Sequence, residues 1–254
     1  MRVAALYDIH GNLPALEAVL DDVRRANVDH VVVGGDVVPG PMPRETLACL
    51  LAFDIPVQFI RGNGDREVLA QKSGAVSTAI PERFREVMRW VAQQLHPDDE
   101  RVFASWPATL RLDVTGLGQV LFCHATPRND TEIFTRLTPE ERLVPLFDAV
   151  DVPVVVCGHT HMQFDRLIGA TRVVNAGSVG MPFADPGAYW LLLGPDVELR
   201  QTLYDFAAAA DRIRATSYPQ ADEFADRNVL HPPAEETMLQ IFTNVQLKQE
   251  PARS

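Results

Sequence analysis

Residues 2–26, RVAALYDIHGNLPALEAVLDDVRRA, decide how the rest of the chain is read. Arg2–Tyr7 is a short apolar run with the composition of a buried strand. Leu13–Ala26 places Leu13, Leu16, Val19, Leu20 and Val23 on one face at helical spacing. Between them stands the polar turn Asp8-Ile9-His10-Gly11-Asn12. The unit then repeats in kind. A strand over His30–Val33 leads through Gly34-Gly35-Asp36 towards a helix over Arg44–Ala52, and a third strand, Val57–Ile60, runs into Gly62-Asn63-Gly64-Asp65. This βαβαβ order predicts an α/β fold with parallel strands.

Further along, Pro81–Leu95 is an amphipathic helix. Thr109–Val114 and Gln119–Cys123 form a hairpin about Gly116-Leu117-Gly118. A helix over Pro139–Ala149 precedes the strand Pro153–Cys157. Strand-like runs at Gln163–Ile168, Thr171–Val174, Ala188–Leu193 and Val197–Leu203 follow, separated by Gly169-Ala170 and Gly194-Pro195-Asp196. These later strands are expected to form a mixed or antiparallel sheet facing the first. Helices are expected at Asp205–Ala215 and Glu235–Leu247, with a frayed end from Leu247 to Ser254. The division expected is a main domain over 1–204 and a helical extension over 205–254 packed on it.

The chain of 254 residues can bury a substantial core. Its net charge of −11 weighs against long nucleic acid as a partner, since that binding rests on many Lys/Arg–phosphate contacts. No run is apolar enough to span a membrane, and the N-terminus lacks the features of a signal peptide, so a cytoplasmic protein is expected. Cys49, Cys123 and Cys157 are too few and too scattered for a disulfide framework and are read as buried thiols.

Position gives the polar residues their meaning. Asp8 and His10, Asp36, Asn63, His124, and His159 with His161 all follow directly, or nearly so, on strand-like runs. Singly, each motif is ordinary: Asp-x-His and Gly-Gly-Asp are turn chemistry, and a lone histidine is usually just hydrogen-bonded. Together they deliver oxygen and imidazole ligands from five strand ends, where α/β sheets bind their ligands. His30, His96 and His231 fall outside the pattern and are read as surface or capping residues. The first βα turn lacks G-x-G-x-x-G, which argues against a dinucleotide-binding protein.

The ordered blocks DIHGN, GGDVVPG, GNGD, the histidine of CHATP, and GHTH resemble the calcineurin-like metallophosphoesterases. NAGSVGMP (Asn175–Pro182) is similar to a late segment of their small prokaryotic phosphodiesterase-like branch. The resemblance runs from Asp8 to about Tyr204. It implies a four-layer αββα sandwich of two mixed sheets flanked by helices, with two divalent metals at the strand ends. By position, Asp8, His10, Asp36 and His161 would bind one ion, and Asp36, Asn63, His124 and His159 the other, with Asp36 bridging. Mn, Fe, Zn or Ni suit such mixed ligands, with Mn favoured. The implied chemistry is attack on phosphorus by a water-derived hydroxide shared between the ions, with Asp36, Asn63 and His124 as catalytic groups.

The third motif departs from that pattern. A histidine commonly follows the asparagine in the family and is thought to assist the leaving group. Here it is Gly64, which can do neither acid nor electrostatic work. Acidic leaving groups, as in phosphodiesters and anhydrides, are therefore expected to be favoured. Asp65 is read either as an acid/base group or as a helix cap, and Arg128 and Asn129 either as substrate contacts or as exposed loop. The expected partner is a small phosphate ester, with a homo-oligomer left open. A phosphomonoesterase or protein phosphatase, a dinucleoside polyphosphate hydrolase, and a non-catalytic scaffold are the competing readings.

Overall fold

Strand β1 (Val3–Leu6) is fully buried and central in a five-stranded sheet. The computed structural model describes residues 1–75 and 82–247. On one side of β1 lie β2 (His30–Val33), parallel to it, and β3 (Val57–Phe59), parallel to β2, as the βαβαβ order predicts. On its other side lie β9 (Ala188–Leu193) and β10 (Val197–Thr202), antiparallel, with Val3 opposite Leu193. The second sheet runs β4 (Thr109–Val114), β5 (Gly118–Cys123), β6 (Val154–Cys157), β8 (Thr171–Asn175), β7 (Phe164–Ile168). Its centre, β6, is also fully buried. The later strands thus do not form one sheet. Of the last two, β9 crosses back to pair with β1 and covers the strand edge that β2 leaves open, and β10 pairs with β9 at the edge of the sheet.

Side-chain alternation assigns the layers. Val3, Ala5 and Tyr7 point between the sheets, where they meet Val120, Phe122, Val154, Val156 and Val174. Ala4 and Leu6 point outwards to the helix layer, with Leu16, Val19 and Leu20 of α1 (Leu13–Arg25). Leu121, Cys123, Val155 and Cys157 face the other way, against Leu143, Leu146 and Phe147 of the helix Glu140–Phe147. The order is helix, sheet, sheet, helix, as the resemblance implied. The Tyr7 hydroxyl ties the sheets together by donating to Val156 O at 3.1 Å.

Several boundaries move. The helix expected from Pro81 is described from Glu82 to Gln94, and Pro81 itself lies outside the described residues. A helix over Pro97–Ala104, unforeseen, starts with His96 at its N-cap position. The helix at the third motif begins at Asn63 and runs to Ser73, so Asp65 sits inside its first turn. Beyond β10, Ala209, Ala210 and Ile213 of the helix Phe206–Arg214 join the same apolar cluster as α1. The last described helix is Glu235–Thr243, shorter than expected; residues 248–254 lie outside the described set. Among the described residues no helix is long and apolar enough to cross a membrane. Cys123 and Cys157 are buried and unbonded, while Cys49 is only partly buried.

Candidate metal centre

The central strands β1 and β6, with their parallel neighbours, end at one edge of the sandwich, and the chain there turns abruptly. Asp8, His10, Asp36, His159 and His161 all have positive φ, from 50° to 67°. Only a few per cent of non-glycine residues adopt that region, with Asp and His among the more tolerant. Five of the seven predicted ligands thus sit in a costly backbone state that turns each side chain back over its strand end. Gly62 is needed for the same tight approach, since a Cβ there would fall 2.2 Å from Asp36 Oδ1.

All seven predicted ligands meet. Asp36 Oδ2 lies 3.7 Å from Nε2 of His10 and 3.7 Å from Nε2 of His124. Asp8 Oδ1 is 3.4 Å from His161 Nε2 and 3.9 Å from Nε2 of both His10 and His124. The His10 and His161 Nε2 atoms are 3.3 Å apart. The inward atom of the Asn63 amide is 3.0 Å from both His124 Nε2 and His159 Nδ1. With its nitrogen inward the amide donates to both rings; with its oxygen inward three lone pairs face one another. Ligands at roughly 2.0–2.2 Å from a tetrahedral ion stand about 3–3.6 Å apart, so these spacings match shared coordination. Asp8 Oδ1 is fully buried and has no hydrogen-bond partner, a cost few proteins carry without a cation.

Main-chain groups aim the rings. His10 Nδ1 donates to Pro39 O (3.1 Å), His124 Nδ1 to Gly34 O (2.9 Å) and His161 Nδ1 to Met181 O (2.7 Å). Each ring thereby keeps its proton on Nδ1 and presents Nε2 to the cluster. The outer oxygens of the carboxylates are likewise held: His159 N donates to Asp8 Oδ2 (2.8 Å) and Gly64 N to Asp36 Oδ1 (2.7 Å). Burial and the neighbouring His124 push His159 down to about 4, and burial also lowers His10, so both are neutral ligands at pH 7. Burial opposes the charge on Asp8, but His161, His124 and His10 outweigh it and hold its carboxyl below the usual range.

Asp65 is placed differently from the acid/base reading. Its carboxylate is buried and accepts from four amides: Asp36 N at 2.8 Å, Val37 N at 2.9 Å, Gly62 N at 3.1 Å and Val38 N at 3.3 Å. It staples the second motif to the third and has no free face for a substrate. Nor is it the N-cap of a later helix: it is the third residue of the helix and reaches back to the Gly62 amide. Gly64 has a second role besides lacking an acid. A Cβ there would stand 2.7 Å from Pro39 Cγ and 3.0 Å from Asp36 Oδ1, so a histidine would require Pro39 to shift and Asp36 to give by a few tenths of an ångström. Arg128 borders a 220 Å³ pocket beside His124, but its Nε is bound to Glu132 Oε1 at 3.0 Å.

Sequence reasoning gave no roles to the residues behind the ligands. Ser178 Oγ donates to Asp8 O and accepts from Met181 N, each at 2.7 Å. Asn175 Nδ2 donates to Gly158 O at 2.7 Å, and Asn12 Nδ2 to Gly180 O at 3.0 Å. The segment Asn175–Pro182 was the available signal, and its task is to brace the first and last motifs.

Residues 1–194 match the family model of the calcineurin-like phosphoesterase superfamily domain. An uncharacterised protein of Methanocaldococcus jannaschii, MJ0912, is 25% identical over 245 residues, covering 86% of this chain and 94% of that one. Among solved structures, the hypothetical protein PH1004 of Pyrococcus horikoshii OT3 superposes with a TM-score of 0.78 at 21% identity, over 92% of this chain and 99% of that one. A metallophosphoesterase from Sphaerobacter thermophilus does so with a TM-score of 0.67 at 25% identity, over 90% of this chain and all of that one (100%).

Proposed function

Because this chain belongs to the calcineurin-like phosphoesterase superfamily, we propose that it is a phosphoester hydrolase, phosphodiesterase-like, working with two divalent ions of which manganese is the favoured kind. The observation that carries the reading is the convergence of the two carboxylates on the histidines: Asp36 Oδ2 lies 3.7 Å from Nε2 of both His10 and His124, and Asp8 Oδ1 lies 3.9 Å from the same two atoms. That is where a carboxylate shared by two cations belongs. His10, His161 and Asp8 would complete one ligand set, and Asn63, His124 and His159 the other.

Such ions would polarise the phosphoryl oxygens and make water a nucleophile at neutral pH. The residues themselves supply position. Nε2 atoms fixed through main-chain carbonyls cannot swing away as charge develops, and this preorganisation accounts for much of the advantage of such sites. Water adds its oxygen to phosphorus, the bond to the leaving oxygen breaks with its electron pair, and that oxygen takes a proton from solvent. The main chain at Gly64 and the fully engaged Asp65 offer no proton donor, which favours acidic leaving groups over alkyl monoesters.

A Mn²⁺-supplemented panel of monoesters, diesters, cyclic nucleotides and polyphosphates tests this. Diesters or anhydrides should be hydrolysed faster than alkyl monoesters. Asp36→Asn should lose about 10³-fold or more in kcat and bind fewer than two ions by elemental analysis. Full activity in that variant removes the two-ion reading, and a preference for alkyl monoesters removes the leaving-group argument.

A further inference from the structure

Three arginines surround the third motif and the loop facing it, and they are not equivalent. Arg66 forks onto Asp130, with Nε 2.9 Å from Oδ2 and the second contact at 3.2 Å, and it also reaches Glu67. Arg128 is committed to Glu132, whose other oxygen accepts from Thr126 Oγ1 at 2.6 Å. Arg61 is half-buried, and its main-chain amide donates to Pro107 O at 2.9 Å. Among the described residues its guanidinium has no hydrogen-bond or ion-pair partner. Its charge is therefore available to an anion in the pocket that it lines.

The pocket says what that is. It holds 220 Å³ and is lined by Arg61, Thr109, His124, Thr126, Asn129 and Asp130, among others. His124 is a wall of both this pocket and the ligand cluster, so a group attached to a phosphorus at the cluster would enter beside it. The volume falls below the roughly 300–1,000 Å³ of pockets that enclose drug-sized ligands. A phosphoryl group fits within it. Two of its walls are the cations Arg61 and Arg128, and its carboxylate, Asp130, is already paired with Arg66, so the lining suits an oxyanion better than an aryl or alkyl group.

We infer that Arg61 binds a second phosphoryl group, carried on the leaving side of the substrate, and so directs the enzyme to phosphoanhydrides over simple diesters. This rests on the hydrolase reading proposed above and narrows its substrate class. It also answers the missing acid at Gly64. In an anhydride the bond from the scissile phosphorus to the bridging oxygen breaks with its pair staying on the departing phosphate. Water supplies the new P–O bond, and its protons pass to solvent and products. The departing phosphate needs its charge offset rather than a proton, and a guanidinium in the pocket supplies that.

The test compares the Mn²⁺-loaded full chain and its Arg61→Gln and Arg61→Lys variants on inorganic pyrophosphate, a nucleoside diphosphate and bis(p-nitrophenyl) phosphate. Wild type should show the higher kcat/KM on an anhydride. Arg61→Gln should lower kcat/KM on the anhydrides by about 10- to 100-fold, with a several-fold smaller loss on the diester. Arg61→Lys should recover part of the difference, and melting temperature and Mn²⁺ stoichiometry should match wild type. Equal losses on all three substrates, or wild-type turnover of the diester but of neither anhydride, overturns the inference and leaves the hydrolase standing. No Mn²⁺-dependent turnover of any of the three removes both.

Discussion

The two sides of the site are built on opposite plans. On the ligand side, inward-facing groups are backed by the main chain: Pro39 O, Gly34 O and Met181 O hold three imidazoles, and the His159 and Gly64 amides hold two carboxylates. On the pocket side, side chains hold one another, Arg66 on Asp130 and Arg128 on Glu132, and one arginine is left over. Main-chain anchors cannot change rotamer, so the first plan gives fixed geometry, as an ion pair demands. Side-chain pairs on a loop can exchange partners when an anion arrives, so the second suits substrate capture. The difference teaches that rigidity and selectivity are divided between neighbouring surfaces of one cleft.

Asp65 tests the rigid side most severely. Burial and the nearby Asp36 carboxylate push its carboxyl up to about 7, while four amide donors favour the anion. Asp65→Asn would turn an NH₂ towards donors that have no other acceptor. The expected cost is roughly 2–4 kcal/mol, seen as a fall of roughly 5–10 °C in melting temperature. At saturating Mn²⁺, kcat should stay within about tenfold of wild type. An unchanged melting temperature with kcat down by more than about 10²-fold would return Asp65 to the acid/base role and break the comparison.

The same division decides what could be read from the sequence. Ligands anchored by main chain stand at fixed places after strands, so Asp8, Asp36, Asn63, His124 and His159 were visible as the ends of β-branched runs. So were the parallel strands β1 to β3, whose apolar spacing is local. The return of Ala188–Leu193 to pair with β1 was not visible, because Val3 opposite Leu193 is a pairing across most of the chain and leaves no local mark. Gly62-Asn63-Gly64 carries no helix signal in the sequence because glycine is a poor helix former. It begins a helix because Gly64 N can bind Asp36 there. Arg61 and Arg128 are equal in sequence; only side-chain direction shows that one is spent and the other free.

Ser178 is the next largest test, one layer behind the ligands. Its hydroxyl links Asp8 O to Met181 N, and Met181 O in turn orients His161. Ser178→Ala should weaken Mn²⁺ binding by about 10- to 100-fold, the usual cost of removing a partner behind a ligand, measured by titrating the metal-free protein. Activity at saturating Mn²⁺ should recover to within a few-fold. A kcat loss that excess metal leaves unrepaired would mean that Ser178 acts on substrate.

Arg128 should give the smallest effect, and it sharpens the contrast with Arg61. Its side chain is 51% exposed and tied to a Glu132 side chain that is only 4% exposed. An exposed cation already paired gains little from a second anion unless it gives up the first, and such pairs are worth about 0–1 kcal/mol. Arg128→Ala should therefore change kcat/KM by less than about threefold on diester and anhydride alike, while Glu132 keeps its bond from Thr126. A loss above about tenfold confined to the anhydride would show that Arg128 leaves Glu132 when substrate binds. The loop side would then exchange partners during turnover, and the second phosphoryl group would sit between two arginines rather than on Arg61 alone.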